Sequence, residues 1–493
     1  MLNFLNDEYV RSIKALYFIS SSPNPVSIDE IALHIGSVRR TVVTLLTLIK
    51  TDSLSCNFQL QETTEKKYYL VSKIEGKAIC LDDYLLIGAK RSLLFLMTEE
   101  LFNKGAINTI QFCNDHYISQ TTFSRGKKKL SELLERSQLR LTNYVSEGIV
   151  GNEYQIRIFY FHFFNSFYHS IEEPFKSIEG VELLNQELAE IFGEMTDYQK
   201  RKLHYLLYVM KKRTKQRHTV EPLPISFDYI TKYDAIYRFI GNYLSVHGVF
   251  DPQLVKNETH FFICSIYTQD IISLKTNYLK YLLEYAKDNS LHVEISNIWI
   301  DTFKKLGAQV VSSEEELAMQ EELGKFHLAV DFLYCDPSLF IVGELNLNTA
   351  KMNPEIYDYT LKFYRLLLEN ESYATFRKIN LKNITDEYLV KNYYYYLYYS
   401  FLKRKKPNPI LLYIADSIER IDRRILIGKL TLLFGAKITI VDNNYSRKAL
   451  VLTNIDTNEQ NTEEIVIFSY NDEQNLKKVI DRIHQKIYEQ LLD

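Results

Sequence analysis

Two sets of three residues with the same internal spacing limit the folds that this chain can adopt. The two triplets are Ala32, Gly36 and Val42, and Cys113, Tyr117 and Phe123. A helix-turn-helix requires a small residue where its helices cross, a tight turn four positions later and an apolar residue ten positions later. One such triplet is common by chance. Two in tandem predict a pair of helix-turn-helix units, although Tyr fits the turn less well than Gly.

The segments around the first triplet predict a winged helix-turn-helix. "VSIDEIALHIG" is a helix with Ser27 as N-cap and Glu30 at capping-box spacing, and it ends at Gly36. "SVRRTVVTLLTLIK" is the second helix, with Ser37 as its cap. Its apolar residues at helical spacing are Val38, Val42, Leu45, Leu46 and Ile49. "FQLQ" and "KYYLV" flank the polar turn "ETTEKK", which predicts a hairpin wing.

The same order of elements returns around the second triplet. "DDYLLIGAKRSLLFLMTEELF" reads as one helix, "NTIQFCNDHY" as a second and "SQTTFSRGKKKLSELLERS" as a third. "RLTNYVSEGIVGNEYQIRIF" holds two short strand-like pieces around Gly148 and Gly151. The chain therefore contains an internal repeat of a whole winged module.

The remainder divides into a helical centre and a small α/β end. Helical periodicity runs from about residue 159 to 405, and "NYYYYLYYSFLKRKK" closes it. The runs "ILLYIA", "KITIVD", "ALVLTN" and "IVIFSY" then alternate with helices, which predicts a parallel sheet. With only 16 Gly and 10 Pro in 493 residues, the expected fold is a mainly α multidomain protein.

Composition and motifs exclude several classes of protein. The five cysteines are scattered, so we expect neither a disulfide framework nor a cysteine zinc site. No Walker loop, HExxH, GxSxG or dinucleotide GxGxxG occurs, so we expect no enzyme, no cofactor and no metal. The acidic N-terminus and the lack of a long apolar run favour a cytoplasmic protein without a membrane segment.

Charge is distributed unevenly along the chain. Residues 1–157 carry 19 Lys and Arg against 17 Asp and Glu, whereas the remainder carries 40 against 45. Any nucleic-acid surface must therefore be a local patch in the first third.

The second helix of each helix-turn-helix is the predicted DNA contact, since its first residues enter the major groove. In the first module these residues are Ser37, Arg39, Arg40, Thr41 and Thr44, with Lys66 and Lys67 at the wing tip. In the second module they are Ser119, Gln120, Thr121, Thr122, Ser124, Arg125, Lys127, Lys128 and Lys129. We expect Phe123, Leu130 and Leu134 to be buried, and Gly126 to allow a close approach to the backbone.

Across its full length the chain resembles the Mga/AtxA-like transcriptional regulators of Gram-positive bacteria. The resemblance rests on "IGSVRRTV", "ISQTTFSRGKKKL" and "GNEYQIRIF", and on the domain order. It implies two winged modules at 1–80 and 81–158. It further implies two all-helical domains like the regulation domains of the sugar phosphotransferase system (PTS), at 159–275 and 276–405. The last domain, 406–493, would resemble the enzyme-IIB proteins.

The resemblance also implies phosphorylated histidines and self-association. His204, expected to be reachable from solvent, and His327, which is equally readable as a core residue, are the candidate sites for the phosphocarrier protein. Ser265 stands where a further histidine is expected, with His260 displaced. The enzyme-IIB cysteine is replaced by Ala415 and Asp416, so a structural or oligomerising role is expected for that domain.

The sequence therefore predicts a regulator that binds double-stranded DNA with modest sequence specificity. The resemblance adds an activator of virulence or metabolic genes, acting as a homodimer that forms higher-order complexes on DNA. Two alternatives remain open: a scaffold that does not bind DNA, and a phosphotransfer component of the sugar phosphotransferase system.

Overall fold

The computed structural model describes most of the chain. The described residues are 1–142, 148–169, 178–222, 234–247, 252–272, 291–306, 313–336, 353–404, 408–415, 420–441, 449–453, 463–466 and 473–492, with 175, 339, 340 and 418. The chain divides into two compact units, Met1–Asn346 with Arg365–Ile384, and Leu347–Tyr364 with Thr385–Asp493.

The first winged module has the predicted helices and wing. Its elements are α1 Asp7–Ser21, β1 Val26–Ser27, α2 Ile28–Ile35, α3 Arg39–Asp52, β2 Phe58–Glu62 and β3 Lys67–Ser72. The strands form an antiparallel sheet in the order β1-β3-β2, and Leu60 pairs with Leu70 across the wing. Val42, Leu45, Leu46 and Ile49 are buried, as the helical spacing predicts.

The second module opens with a break that the sequence did not predict. The single expected helix is two helices, α4 Asp82–Lys90 and α5 Leu93–Lys104. Ser92 between them is extended, and its Oγ accepts the Asn6 backbone N–H at 2.9 Å while donating to the Gly88 carbonyl at 2.6 Å. The apolar pattern of the sequence continues through this break and therefore does not indicate it. The contact that Ser92 makes at the break is with Asn6, which is distant in sequence.

The rest of the second module follows the predicted order until its wing ends. It comprises α6 Thr109–Asp115, α7 Gln120–Glu135, β4 Arg140–Leu141, β5 Ile149–Val150 and α8 Glu153–Phe167. The two strands pair antiparallel, and the tip, 143–147, lies outside the described residues. Beyond Gly151 the chain is helical from Glu153.

The central region of the first unit is helical and contains a buried ionic cluster. Its helices are α9 Val181–Phe192, α10 Asp197–Lys215, α11 Asp234–His247, α12 Pro252–Thr268, α13 Leu291–Lys305, α14 Ser313–Phe332 and α16 Glu371–Ile379. Arg157 on α8 is fully buried between Glu153 and Glu258, and Glu153 also accepts from Arg213 at 2.7 Å. Buried charges need such pairing, since an unpaired charge in the interior is strongly destabilising.

The division of the chain into two units falls within helix α15, Pro354–Glu369. The second unit contains the predicted parallel sheet. Its remaining elements are α17 Asp386–Arg404, β6 Ile410–Ile414, α18 Arg420–Phe434, β7 Ile438–Val441, β8 Leu450–Thr453, β9 Glu463–Val466 and α19 Glu473–Leu492. The strands are parallel in the order β7-β6-β8-β9. Leu412, Leu430, Leu452 and Ile483 are among the residues of its hydrophobic core.

Candidate nucleic-acid interface

The two helix-turn-helix units have the same geometry at their turns. Helix α2 begins with a capping box, in which the Ser27 side chain and Glu30 satisfy each other's backbone N–H groups. It ends at Gly36, and a bend of 101° separates α2 from α3 and the short turn that follows α3. That bend lies within the range typical of a helix-turn-helix.

Equivalent hydrogen bonds close both turns. The Ser37 N–H donates to the Ala32 carbonyl at 2.9 Å, and the Ile118 N–H donates to the Cys113 carbonyl at 3.0 Å. Gly36 has a φ of 62°, and Tyr117, at the same position of the second unit, has a φ of 53°. The repeated triplet therefore corresponds to a repeated backbone geometry, despite the change from Gly to Tyr.

Helix α7 presents the densest group of cations in the predicted interface. Ser119 caps it by accepting the Thr122 N–H at 3.1 Å, and Phe123, Leu130 and Leu134 are buried as predicted. The outward side chains among the predicted contacts are Ser119, Gln120, Thr121, Thr122, Ser124, Arg125, Lys128 and Lys129, all of which are exposed. Within the part of the chain that the structure describes, Arg125, Lys128 and Lys129 make no ion pair.

Two residues of this helix differ in environment from those three cations. Lys127, also a predicted DNA contact, is half-buried and has a partner, unlike the three exposed cations. Gly126 is buried against α5, where a Cβ would lie 2.6 Å from Leu93 Cδ2. The close approach expected at this glycine is therefore made by a neighbouring helix.

Helix α3 of the first module is less cationic on its outer face. Ser37 does not cap it, because the helix begins at Arg39 with Val38 as N-cap, and Val38 is exposed rather than in the core. Arg40 and Thr44 are exposed and Ser37 and Thr41 are half-buried. Arg39 is exposed but pairs with Asp29 at 2.6 Å. Exposed pairs of this kind are weak and do not prevent Arg39 from reaching another anion.

The wings supply further cations. Lys66 is exposed at the first wing tip with a φ of 59°, and Lys67 pairs with Glu65 at 3.2 Å. Arg140, an exposed residue at the start of β4, was missed by the sequence reasoning. Val43 and Thr47 were also missed. When the two triplets are aligned, these residues occupy the positions equivalent to Ser124 and Lys128.

The candidate phosphorylation sites are not at the surface. His204 is only 5% exposed and its Nδ1 lies 2.8 Å from the Lys200 carbonyl, so the expectation that it is reachable is wrong. His327 is fully buried beside Ser296 Oγ at 3.1 Å, and burial lowers its pKa to about 3. His260 is also buried, next to Tyr237 Oη at 3.2 Å.

The structure describes only part of the site expected in the C-terminal domain. Ala415 follows β6 directly, and Asp416 lies outside the described residues. Cys335, the last cysteine of the chain, is buried in the first unit, and burial raises its pKa to about 12. A thiol in that state is a poor nucleophile, because the thiolate is the reactive form.

No helix in the described ranges is by itself long and apolar enough to cross a membrane.

Comparison with known proteins identifies the second module. Residues 81–164 match the family model of the Mga helix-turn-helix domain, a range that contains α4 to α7, the β4–β5 wing and most of α8. The comparison with curated proteins gives no significant match. The Mga helix-turn-helix domain belongs to a family of regulators rather than of enzymes, and it indicates a DNA-binding transcriptional regulator. Residues 81–164 of the chain thus form a domain similar to the Mga helix-turn-helix domain.

Proposed function

We propose that this protein regulates transcription by binding double-stranded DNA through both winged modules, with α7 as the principal contact. The observation that carries the proposal is the row of exposed cations Arg125, Lys128 and Lys129, which lack acidic partners within the described ranges. They lie on the second helix of a helix-turn-helix, which is the helix that such modules place in the major groove.

The chemistry of α7 suits phosphate better than base edges. Lysine and arginine side chains neutralise phosphates and release counterions, which supplies affinity without sequence information. Exposed Thr121, Ser124 and Gln120 near the start of the helix add short hydrogen-bonding groups. We therefore expect modest sequence specificity, with a contribution from DNA shape.

Equilibrium titration of the full chain onto the duplex upstream of its own gene tests this proposal. Fluorescence anisotropy at several salt concentrations should give a dissociation constant that rises steeply with salt. No binding at the lowest salt concentration would favour the alternative, a scaffold whose winged modules contact protein. That alternative draws support from the exposed apolar side chains of Leu33 and Val38 beside the first turn.

The C-terminal domain is proposed to mediate self-association, so that a homodimer presents four winged modules to DNA. In the second unit, helix α18 exposes Ile421, Ile425 and Leu432, and the spacing puts them on one face together with Gly428. A Cβ at Gly428 would have nothing within 4 Å, so a second helix could approach closely there. Linked modules bind more tightly through effective concentration, which favours higher-order complexes on long DNA.

The regulatory role is proposed from the family resemblance. We assign the protein as an activator of virulence or metabolic genes, with regions 159–275 and 276–405 acting as PTS-regulation-like domains. His204 remains the better candidate for the phosphocarrier protein, because His327 is fully enclosed whereas a trace of His204 is exposed. Phosphorylation would add roughly two negative charges next to the α10 lysines and would require the ring to leave its buried position. Phosphohistidine mapping after incubation with the phosphocarrier system tests this assignment.

A further inference from the structure

The second helices of the two helix-turn-helix units, α3 and α7, expose different side chains at equivalent positions: those of α3 are neutral, whereas those of α7 include cations. With the repeated triplets aligned, Val43, Thr44 and Thr47 of α3 stand where α7 has Ser124, Arg125 and Lys128. All six of these side chains are exposed, whereas Val42 of α3 and Phe123 of α7 are buried. The backbone geometry is shared, so the difference lies in what each outward face presents to a ligand.

The middle of the α3 face is neutral. Among the described residues, its neighbouring cations lie at the two ends of the helix and most are engaged: Arg39 pairs with Asp29, and Lys50 donates to Glu62 Oε2 at 3.0 Å. Between Arg40 and Lys50 the exposed side chains are Val43, Thr44 and Thr47. Such a face offers little for neutralising phosphate, in contrast to α7.

The threonine hydroxyl groups of this face are used inside the helix. Thr44 donates to the Arg40 carbonyl at 3.3 Å, Thr47 to the Val43 carbonyl at 3.0 Å and Thr51 to the Thr47 carbonyl at 3.0 Å. Their hydrogens are therefore not available to base acceptors. Val43, with 47% of its surface exposed, lies within this row, so methyl groups dominate the face.

We propose that α3 reads thymine methyl groups in the major groove, with Val43 as the specificity-determining residue. The C5-methyl of thymine is the distinctive apolar feature of the base edges in that groove, and apolar or threonine methyl contacts are how proteins recognise it. The second module then holds the phosphates through α7 while the first module selects thymine-containing sites. This inference rests on the proposed DNA-binding function, since α3 continues the same interface.

Deoxyuridine substitution provides a test, because it removes only the thymine methyl. Duplexes are first selected from a random pool of about 30 base pairs, long enough for two modules that each span roughly one helical turn, with the wild-type full chain. The selected sequence is then synthesised with thymine or with deoxyuridine. We expect the wild type to bind the deoxyuridine duplex about fourfold more weakly for each thymine methyl that α3 buries, the fold-change for burying one methyl-sized group. Val43→Ala should bring the affinities for the thymine and deoxyuridine duplexes close together. Val43→Thr keeps one of the two valine methyl groups, so its ratio of affinities should lie between those of the wild type and Val43→Ala.

The controls separate this inference from the proposed function. Leu54→Ala removes another exposed apolar side chain beyond the end of α3 and should keep the wild-type ratio. Equal wild-type affinity for both duplexes, or an unchanged ratio in Val43→Ala, would overturn the thymine reading while DNA binding itself still stands. Failure of the wild type to enrich any duplex from the pool would instead overturn the proposed function, and the thymine reading with it.

Discussion

Gly36 and Tyr117 share a left-handed backbone conformation at the same position of two successive helix-turn-helix units, with φ values of 62° and 53°. Glycine adopts this conformation without steric penalty, whereas a residue with a side chain is strained by about 1–2 kcal/mol. Tyr117 is 96% exposed, so packing of its ring does not offset that strain. The second turn is therefore held in place by the helices around it.

Replacing Tyr117 with glycine should stabilise the protein by about 1 kcal/mol, because the strain is relieved and little packing is removed. Urea denaturation followed by circular dichroism measures the change. Tyr117→Ala is the control, since alanine keeps the strain, and it should not stabilise. The converse change, Gly36→Ala, should destabilise by a similar amount. A neutral Tyr117→Gly would contradict the assignment of strain to this turn.

The contact between Asp52 and Arg91 should couple the two winged modules. Arg91 Nη1 donates to Asp52 Oδ1 at 2.8 Å, and the Asp52 carboxylate is almost fully buried and also accepts from Tyr9 at 2.8 Å. Arg91→Ala should lower the free energy of unfolding by about 1–3 kcal/mol, because a buried charged acceptor is left without one of its donors. In a double-mutant cycle with Asp52→Asn, the combined destabilisation should be smaller than the sum. Lys77→Ala, which removes an exposed cation between β3 and α4, serves as the control, and strict additivity would rule out the coupling.

Acid should destabilise the fold through His327. Burial lowers its pKa from 6.5 to about 3, so below pH 6.5 the unfolded chain binds a proton that the folded chain does not. The stability associated with the neutral ring is present above pH 6.5 and is lost as the pH falls toward 3. Between pH 7 and pH 5 the decrease should be about 2 kcal/mol from this residue. His327→Gln should show a smaller difference between the two pH values, measured by urea denaturation at each pH.

Self-association should depend on the exposed face of α18. Ile425→Asp with Leu432→Asp should raise the dimer dissociation constant by at least tenfold, because each places an uncompensated charge in an apolar contact. Sedimentation velocity over a concentration series measures it. Val246→Asp, at an exposed apolar position on α11, is the matched control. If the double variant sediments like the wild type, the dimer contact lies elsewhere.

The parts of the fold that local sequence controls were predictable. The capping box at Ser27, the Gly36 helix end, the first wing and the parallel C-terminal strands all follow from short-range patterns. The buried face of α7, with Phe123 and Leu130, followed from helical spacing in the same way. These patterns reflect hydrogen bonding and burial within a few residues, so a single sequence carries them.

Features that depend on distant contacts were not predictable. The break at Ser92 involves Asn6, and Lys127 is half-buried within an otherwise exposed row of cations. Because polar residues share its helix face, His204 was expected to be reachable from solvent, yet it is only 5% exposed. A helical periodicity shows which residues share a face but not what covers that face. Val43 needed the alignment of the two modules, rather than its own neighbourhood, to emerge as a candidate contact.

The salt dependence of DNA binding by the variant Arg125→Ala/Lys128→Ala/Lys129→Ala tests whether α7 is the principal DNA contact. Lys127 is left in place, because it is half-buried and has a partner. We expect weaker binding to every duplex, with the slope of log K against log salt reduced by up to about 3, near 0.9 for each phosphate contact removed. A matched variant, Lys437→Ala/Lys477→Ala/Lys478→Ala, removes three exposed cations of the second unit and should retain the wild-type slope. Wild-type affinity and slope in the α7 variant, with circular dichroism unchanged, would show that these three cations do not contact DNA.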